Sequence, residues 1–264
     1  SLQLMLNEWA LAEDVAGISN SAYIQARAHL LHTAFVELNE KAVVEVMYRD
    51  NDHKLFKGRR LLAVDGSKVI LPNYPDTIKE FGQITYKNAK VEGRHTMGLV
   101  SVLYDVLNKI AIHSTLGEAR SYEVNLAIGH LGHTKLNDVI VADRGFASYL
   151  FLATLQHQER GFVIRCSAGS FGIAQRMLKG EGAANQVVTI AVPHSQKKDV
   201  MAAGLPMTMQ VRFVRILLKT GEYEVLITSL LDESDFSLED LAEIYRLRWG
   251  IESFYNNTRE WQEA

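Results

Sequence analysis

The sequence predicts an α/β fold: a mixed sheet flanked by helices, with an N-terminal helical segment and a β-rich insertion ahead of the last helix. Three observations predict it. Leu61-Leu-Ala-Val and Val139-Ile-Val-Ala are short unbroken apolar runs, as expected of strands buried on both faces. Helical patterns separate strands of this kind, which implies crossover connections and parallel pairing. From residue 168 to 232 the pattern changes to period-two strands around a hairpin turn.

Residues 1–57 are read as the N-terminal helical segment. Between Ser21 and Arg49 there is no Gly or Pro, and Leu30, Phe35, Val36, Val43 and Val46 supply an apolar face. His29 and His32 stand three apart on these helices; without further ligands they read as solvated rather than metal-binding.

The first part of the core is expected over 58–167. Leu61 to Val64 runs into Asp65-Gly66, which suggests a buried strand delivering a carboxylate at its end. Pro72 to Met97 shows little periodicity and reads as a long loop. Its Lys79, Lys87, Lys90 and Arg94 interleave with Tyr74, Phe81 and Tyr86. That mixture suits a nucleic-acid backbone and equally a solvated surface loop. Two strands, Gly98–Asp105 and Lys109–Thr115, form a hairpin around Leu107-Asn108. A helix from Ser121 to Leu131 follows, with His130 and His133 as structural residues at its end. The strand Val139–Ala142 then repeats the earlier device by running into Asp143-Arg144-Gly145. Ser148 caps a helix from Tyr149 to Glu159, and Phe162 begins another strand.

Residues 168–232 are the β-rich insertion. Met209 to Phe213 alternates cleanly, and the slip of phase at Val214 predicts a bulge. Lys219-Thr-Gly221-Glu is a hairpin turn before Tyr223–Thr228. Residues 233–264 return to the core as one helix. Ser237 and Asp240 are spaced as a capping box, and Phe236 and Leu241 as a hydrophobic staple. On a continuous helix Tyr245, Arg248, Glu252 and Arg259 share an arc of roughly 60°. Ile244, Ile251 and Tyr255 cover the adjoining apolar face. Taken alone, this stripe is also what a solvated helix edge looks like.

Composition narrows the function classes. A formal charge of −3 gives no global attraction to nucleic acid, so such a site must be a local patch. The single Cys166 excludes an internal disulfide and a cysteine zinc cage, which fits a reducing, cytoplasmic setting. No apolar run approaches the roughly 20 residues of a membrane span. If the strands bearing Asp65 and Asp143 are neighbours, the two carboxylates lie side by side at strand carboxyl ends. Glu252 would complete an all-oxygen site suited to Mg²⁺, with Mn²⁺ as a substitute. Two such ions about 3.5–4 Å apart serve phosphoryl transfer. Arg248 and Arg259 would then hold nearby phosphates.

At these residues the chain resembles the bacterial cut-and-paste DDE transposases of the insertion-sequence-four type. The anchors are Asp65 in Leu-Ala-Val-Asp-Gly-Ser, Asp143 in Ala-Asp-Arg-Gly-Phe, and Tyr245, Arg248 and Glu252 at the family's spacing. Position 259 departs from the pattern, carrying Arg where the family has Lys. The resemblance spans residues 15–260 and implies a ribonuclease-H-like catalytic domain. It implies Asp65, Asp143 and Glu252 as catalytic metal ligands for two Mg²⁺ ions. Tyr245, Arg248, Arg259, Arg144, Lys87, Lys90 and Arg94 become the expected DNA contacts. The implied reaction is hydrolysis at the element's end, hairpin formation by the freed 3′-hydroxyl, and its later attack on target DNA. The implied partners are transposon ends, target DNA and a second copy of the chain, in a bacterial, nucleoid-associated setting. Family members carry more chain at both ends. A truncated, non-catalytic DNA-binding or regulatory relative is therefore a second expectation, and a nuclease that stops at hydrolysis is a third.

Overall fold

The computed structural model describes the backbone of residues 2–88 and 91–263 and the side chains of residues 2–85 and 93–257. Ser1–Asn51 and Asp52–Ala264 form two compact units.

In the first unit α1 (Leu2–Ala12) is followed by α2 (Asn20–Ala28), whose N-cap Ser19 accepts from Ala22 N. Gln3 ties them together, donating to Ile18 O at 2.9 Å and accepting from Asn20 N at 3.0 Å. Then α3 (His32–Leu38) passes through a π-helical turn (Asn39–Val44) into α4 (Glu45–Arg49). His29 and His32 are both exposed.

The second unit is organised by a nine-stranded mixed sheet. Its first strand, β1 (Leu61–Leu71), does not end at Asp65 as its apolar run suggests. It continues because β3 (Val91–Asp105) pairs with it antiparallel from Leu62 to Leu71. The stretch after β1 is not a loop either. It holds α5 (Pro75–Phe81), β2 (Gln83–Asn88) and the beginning of β3. Periodicity is weak there because β2 pairs only with the outer part of β3, so neither strand needs a fully apolar face. β4 (Ile110–Glu118) completes the antiparallel group.

After α6 (Glu123–Gly129) and a short 3₁₀ turn, β5 (Val139–Ala142) pairs parallel with β1, and β6 (Gly161–Arg165) parallel with β5. The crossover between them is α7 (Tyr149–His157), capped by Ser148. The order β4-β3-β1-β5-β6, antiparallel first and parallel afterwards, is the ribonuclease-H-like mixed sheet that the sequence predicts.

The insertion contains α8 (Gly172–Leu178), β7 (Asn185–Ala191), α9 (Lys197–Ala202), β8 (Thr208–Leu217) and β9 (Tyr223–Thr228). Its strands extend the same sheet, because β9 pairs antiparallel with β6. The predicted bulge at Val214 is absent: β8 pairs in continuous register with β7 and β9. Phase slips because Arg212, Phe213 and Val214 are all buried. Arg212 donates there to Phe236 O at 2.7 Å and to Asn185 Oδ1 at 2.9 Å, and its Nη2 lies 3.9 Å from the Glu233 carboxylate. The insertion thereby fixes the loop that launches the last helices.

Those helices are α10 (Leu238–Leu247) and α11 (Trp249–Glu263), two elements where the pattern predicts one. The capping box of α10 forms as spaced: Asp240 N donates to Ser237 Oγ at 3.2 Å and Ser237 N to Asp240 Oδ2 at 2.8 Å. Phe236, Leu241, Ile244, Ile251 and Tyr255 pack in one cluster with Ala63, Val141 and Val163 of the sheet. That apolar contact, more than helix propensity, seats both helices. No helix among the described residues is long and apolar enough to cross a membrane.

Candidate active site

The site begins with register. Ala63 stands opposite Val141 in the parallel pair of β1 and β5. Two residues further along each chain are Asp65 and Asp143. Side chains alternate between faces along extended chain, so both carboxylates leave on the face of Ala63 and Val141. Arg60 and Asp138, at the starts of the two strands, hold that register through a buried ion pair, with Arg60 Nε donating to Asp138 Oδ1 at 2.8 Å.

Both carboxylates are locally oriented. Gly66 N donates to Asp65 Oδ1 at 2.9 Å and Gly145 N donates to Asp143 Oδ1 at 2.8 Å. Burial, with the charge of Asp143 adding to it, pushes the Asp65 carboxyl up to about 6. The backbone bond from Gly66 and the charge of Arg248 oppose that rise.

The third predicted acid comes from α11, which packs across β1. Tyr255 Oη donates to Asp65 O at 2.9 Å and fixes the helix beside the strand. Glu252 is held by Arg248, whose Nη2 donates to Oε1 at 2.7 Å. The Arg248 side chain is only 7% exposed. Its guanidinium lies 5.5 Å from the Tyr245 ring and 5.3 Å from the Trp249 ring. Tyr245 itself is buried in the core cluster, whereas Trp249 is 57% exposed.

The remaining predicted contacts are spread more widely. Arg144 is exposed in the 3₁₀ turn behind Asp143, and Arg94 is exposed on β3. Lys90 and the side chains of Lys87 and Arg259 lie outside the described residues.

The structure adds residues that the pattern did not single out. Glu123, at the start of α6, lies near enough to Asp143 and Asp65 to influence Asp65's charge. Glu224 of β9 is buried, and burial raises its pKa against the opposing charges of Arg165 and Arg248. In sequence Glu123 is an ordinary first-turn acid and Glu224 an ordinary strand residue. Only the tertiary fold brings their charges within the influence of Asp65, Asp143 and Arg248.

Among the described residues no three of His, Cys, Asp and Glu are grouped closely enough to hold a metal ion. The Asp65–Asp143 pair nevertheless fits one chemically. Both donors are hard carboxylate oxygens, on one face, in a setting where burial and mutual repulsion disfavour ionised Asp65. Glu252 would join them by giving up or sharing its bond to Arg248.

No curated protein matches the chain. Among solved structures it is similar to the piggyBac transposase in a cryo-EM synaptic complex with hairpin DNA, at 11% identity and a TM-score of 0.44. That similarity covers 74% of this chain and 39% of the other, so this chain spans about two fifths of its length. The model of the transposase DDE domain matches residues 56–262. With a match that starts ahead of β1 and runs through α11, this chain belongs to the transposase DDE domain family.

Proposed function

We propose that this domain is the catalytic core of a cut-and-paste transposase of the insertion-sequence-four type, acting on the ends of an insertion sequence. Asp65, Asp143 and Glu252 are its metal ligands, two Mg²⁺ ions its cofactors, and a pair of copies acts on two DNA ends. The observation that carries this reading is the parallel register of β1 and β5, which sets Ala63 opposite Val141 two residues ahead of Asp65 and Asp143, beside the helix that bears Glu252.

A divalent cation held there supplies Lewis-acid stabilisation of the charge that develops on a phosphodiester in transfer. The chain's own residues do the rest. Gly66 N and Gly145 N each occupy one oxygen of Asp65 and Asp143, so each keeps its second oxygen for the cleft. Tyr255 fixes the distance between α11 and β1. Arg248 restrains Glu252 and, when that bond is released, offers a bidentate guanidinium to a phosphate oxygen. Tyr245 acts from beneath, as a buried support for Arg248, and the exposed Trp249 presents a face on which a base can stack. Arg94 and Arg144 are the exposed cations for the DNA backbone, and Lys87, Lys90 and Arg259 belong to the same expected set.

The test is nicking of supercoiled plasmid DNA by the purified chain with Mg²⁺ or Mn²⁺. Activity is expected to fall about 10³-fold or more in D65N, D143N and E252Q. Joined DNA products distinguish a transposase from a nuclease that stops at hydrolysis. Equal nicking by wild type and all three variants would refute the assignment.

A further inference from the structure

Arg165 closes β6, and its place follows from the register of the parallel strands. Val163 of β6 stands opposite Val141 of β5, which stands opposite Ala63 of β1. Two residues further along their chains come Arg165, Asp143 and Asp65. Arg165 is still paired, with Leu226 of β9, and paired residues share a face. Leu226 belongs to the apolar cluster that Ala63, Val141 and Val163 form with α10 and α11. The sheet thereby delivers a guanidinium on the face covered by those helices, one strand beyond β5.

Arginines packed against this sheet spend their donors. Arg60, Arg160, Arg212 and Arg215 each donate to a carboxylate, a hydroxyl or a carbonyl oxygen. Arg165 makes no hydrogen bond among the described residues. It is paired in charge with Glu224, two residues before Leu226 on β9 and so on the same face. Arg165 Nε lies 3.4 Å from Glu224 Oε2 without the alignment of a hydrogen bond. The Arg165 side chain is 39% exposed and that of Glu224 only 11%. The pair balances charge and leaves a planar fork of five donors open. Within the electrostatic reach of Arg165 and Glu224, Tyr245 Oη is buried without a well-formed hydrogen bond, and so is Arg248 Nε. Unspent donors of this kind call for an acceptor from outside the chain, and phosphate oxygens match a guanidinium fork.

We propose that Arg165 is a phosphate-binding residue of this site, restrained by Glu224 until DNA arrives, and that with Arg248 it grips a backbone phosphate. The proposal rests on the reading of this domain as one that acts on DNA. It gives the site two restrained arginines, Arg248 held by Glu252 and Arg165 by Glu224.

The test is binding of the purified chain to a short fluorescein-labelled DNA duplex, followed by anisotropy over a series of KCl concentrations. Arg165→Gln is expected to weaken binding about tenfold, the scale of a hydrogen bond to a charged group. It should also reduce the slope of log Kd against log salt by about 0.9, the loss of one phosphate contact. Its urea midpoint should stay near that of wild type, because a partly exposed ion pair contributes little. Glu224→Gln, which frees the fork, should tighten binding about two- to fivefold and change nothing when Arg165 is already Gln. That variant carries the test if Arg165→Gln does not fold. Wild-type affinity and salt slope in Arg165→Gln, or equal tightening by Glu224→Gln with and without Arg165, would overturn the proposal and leave the metal site to its own nicking assay. Failure of wild type to bind the duplex would overturn the reading beneath it as well.

Discussion

The Tyr255 hydroxyl donates to the main-chain oxygen of Asp65 at 2.9 Å across 190 positions of sequence. One hydrogen bond thus joins the helix bearing Glu252 to the strand bearing Asp65. Tyr255→Phe keeps the packed ring and removes only that bond. It should lower stability by about 1 kcal/mol in urea unfolding. Tyr255→Ala should cost about 3–5 kcal/mol, because a large buried side chain is lost from the same cluster.

The Arg60–Asp138 pair ties the starts of β1 and β5, and with them the register of Asp65 and Asp143. Both side chains are nearly fully buried. Arg60→Met strands a buried carboxylate and should destabilise by about 3–5 kcal/mol. Replacing both partners with apolar residues should recover much of that loss, since a buried pair contributes little against an apolar substitute. Unfolding of the two single variants and the double variant measures the difference.

Asp65 makes stability depend on pH in a defined direction. Its folded pKa of about 6 lies above the ordinary carboxylate value of 3.8. The folded state therefore holds the proton more tightly than the unfolded chain does. Its contribution is fully present below pH 3.8 and is lost as pH rises to about 6. By pH 7 the penalty is about 3 kcal/mol. Asp65→Asn should remove that penalty, raise stability near neutral pH without metal, and flatten the profile between those values.

His130 works in the opposite sense. It is fully buried, 2.9 Å from Ser101 Oγ, with its Nδ1 2.7 Å from His113 Nδ1. Burial first, then His113 and His133, lower its pKa from 6.5 to about 3. The unfolded chain takes up the proton sooner, so this contribution is complete above pH 6.5 and is lost as pH falls towards 3. His130→Gln should flatten the acid limb of the unfolding profile.

How much of this is legible in sequence follows from the kind of signal each residue gives. Strands β1 and β5 announce themselves because they are buried on both faces and are apolar without a break. Asp65, Asp143 and Glu252 stand out through motif and spacing. The path from Pro72 to Met97 hid its strand because β2 borders the sheet on one edge only. Val214 looked like a bulge because Arg212, a charged residue, is buried in regular register. The division between α10 and α11 carries no Gly or Pro signal of the usual kind at Arg248, although Gly250 follows soon after. Glu123 left no pattern at all; its place comes from the packing of α6 on β1 and from the bare backbone at Gly66.

The most direct test of the account is anomalous scattering from Mn²⁺ soaked into crystals of the chain. The account predicts a peak between the carboxylates of Asp65 and Asp143, with Glu252 turned from Arg248 towards it. Asp65 and Asp143 standing far apart with no peak between them, in crystals that bind Mn²⁺ elsewhere, would contradict it.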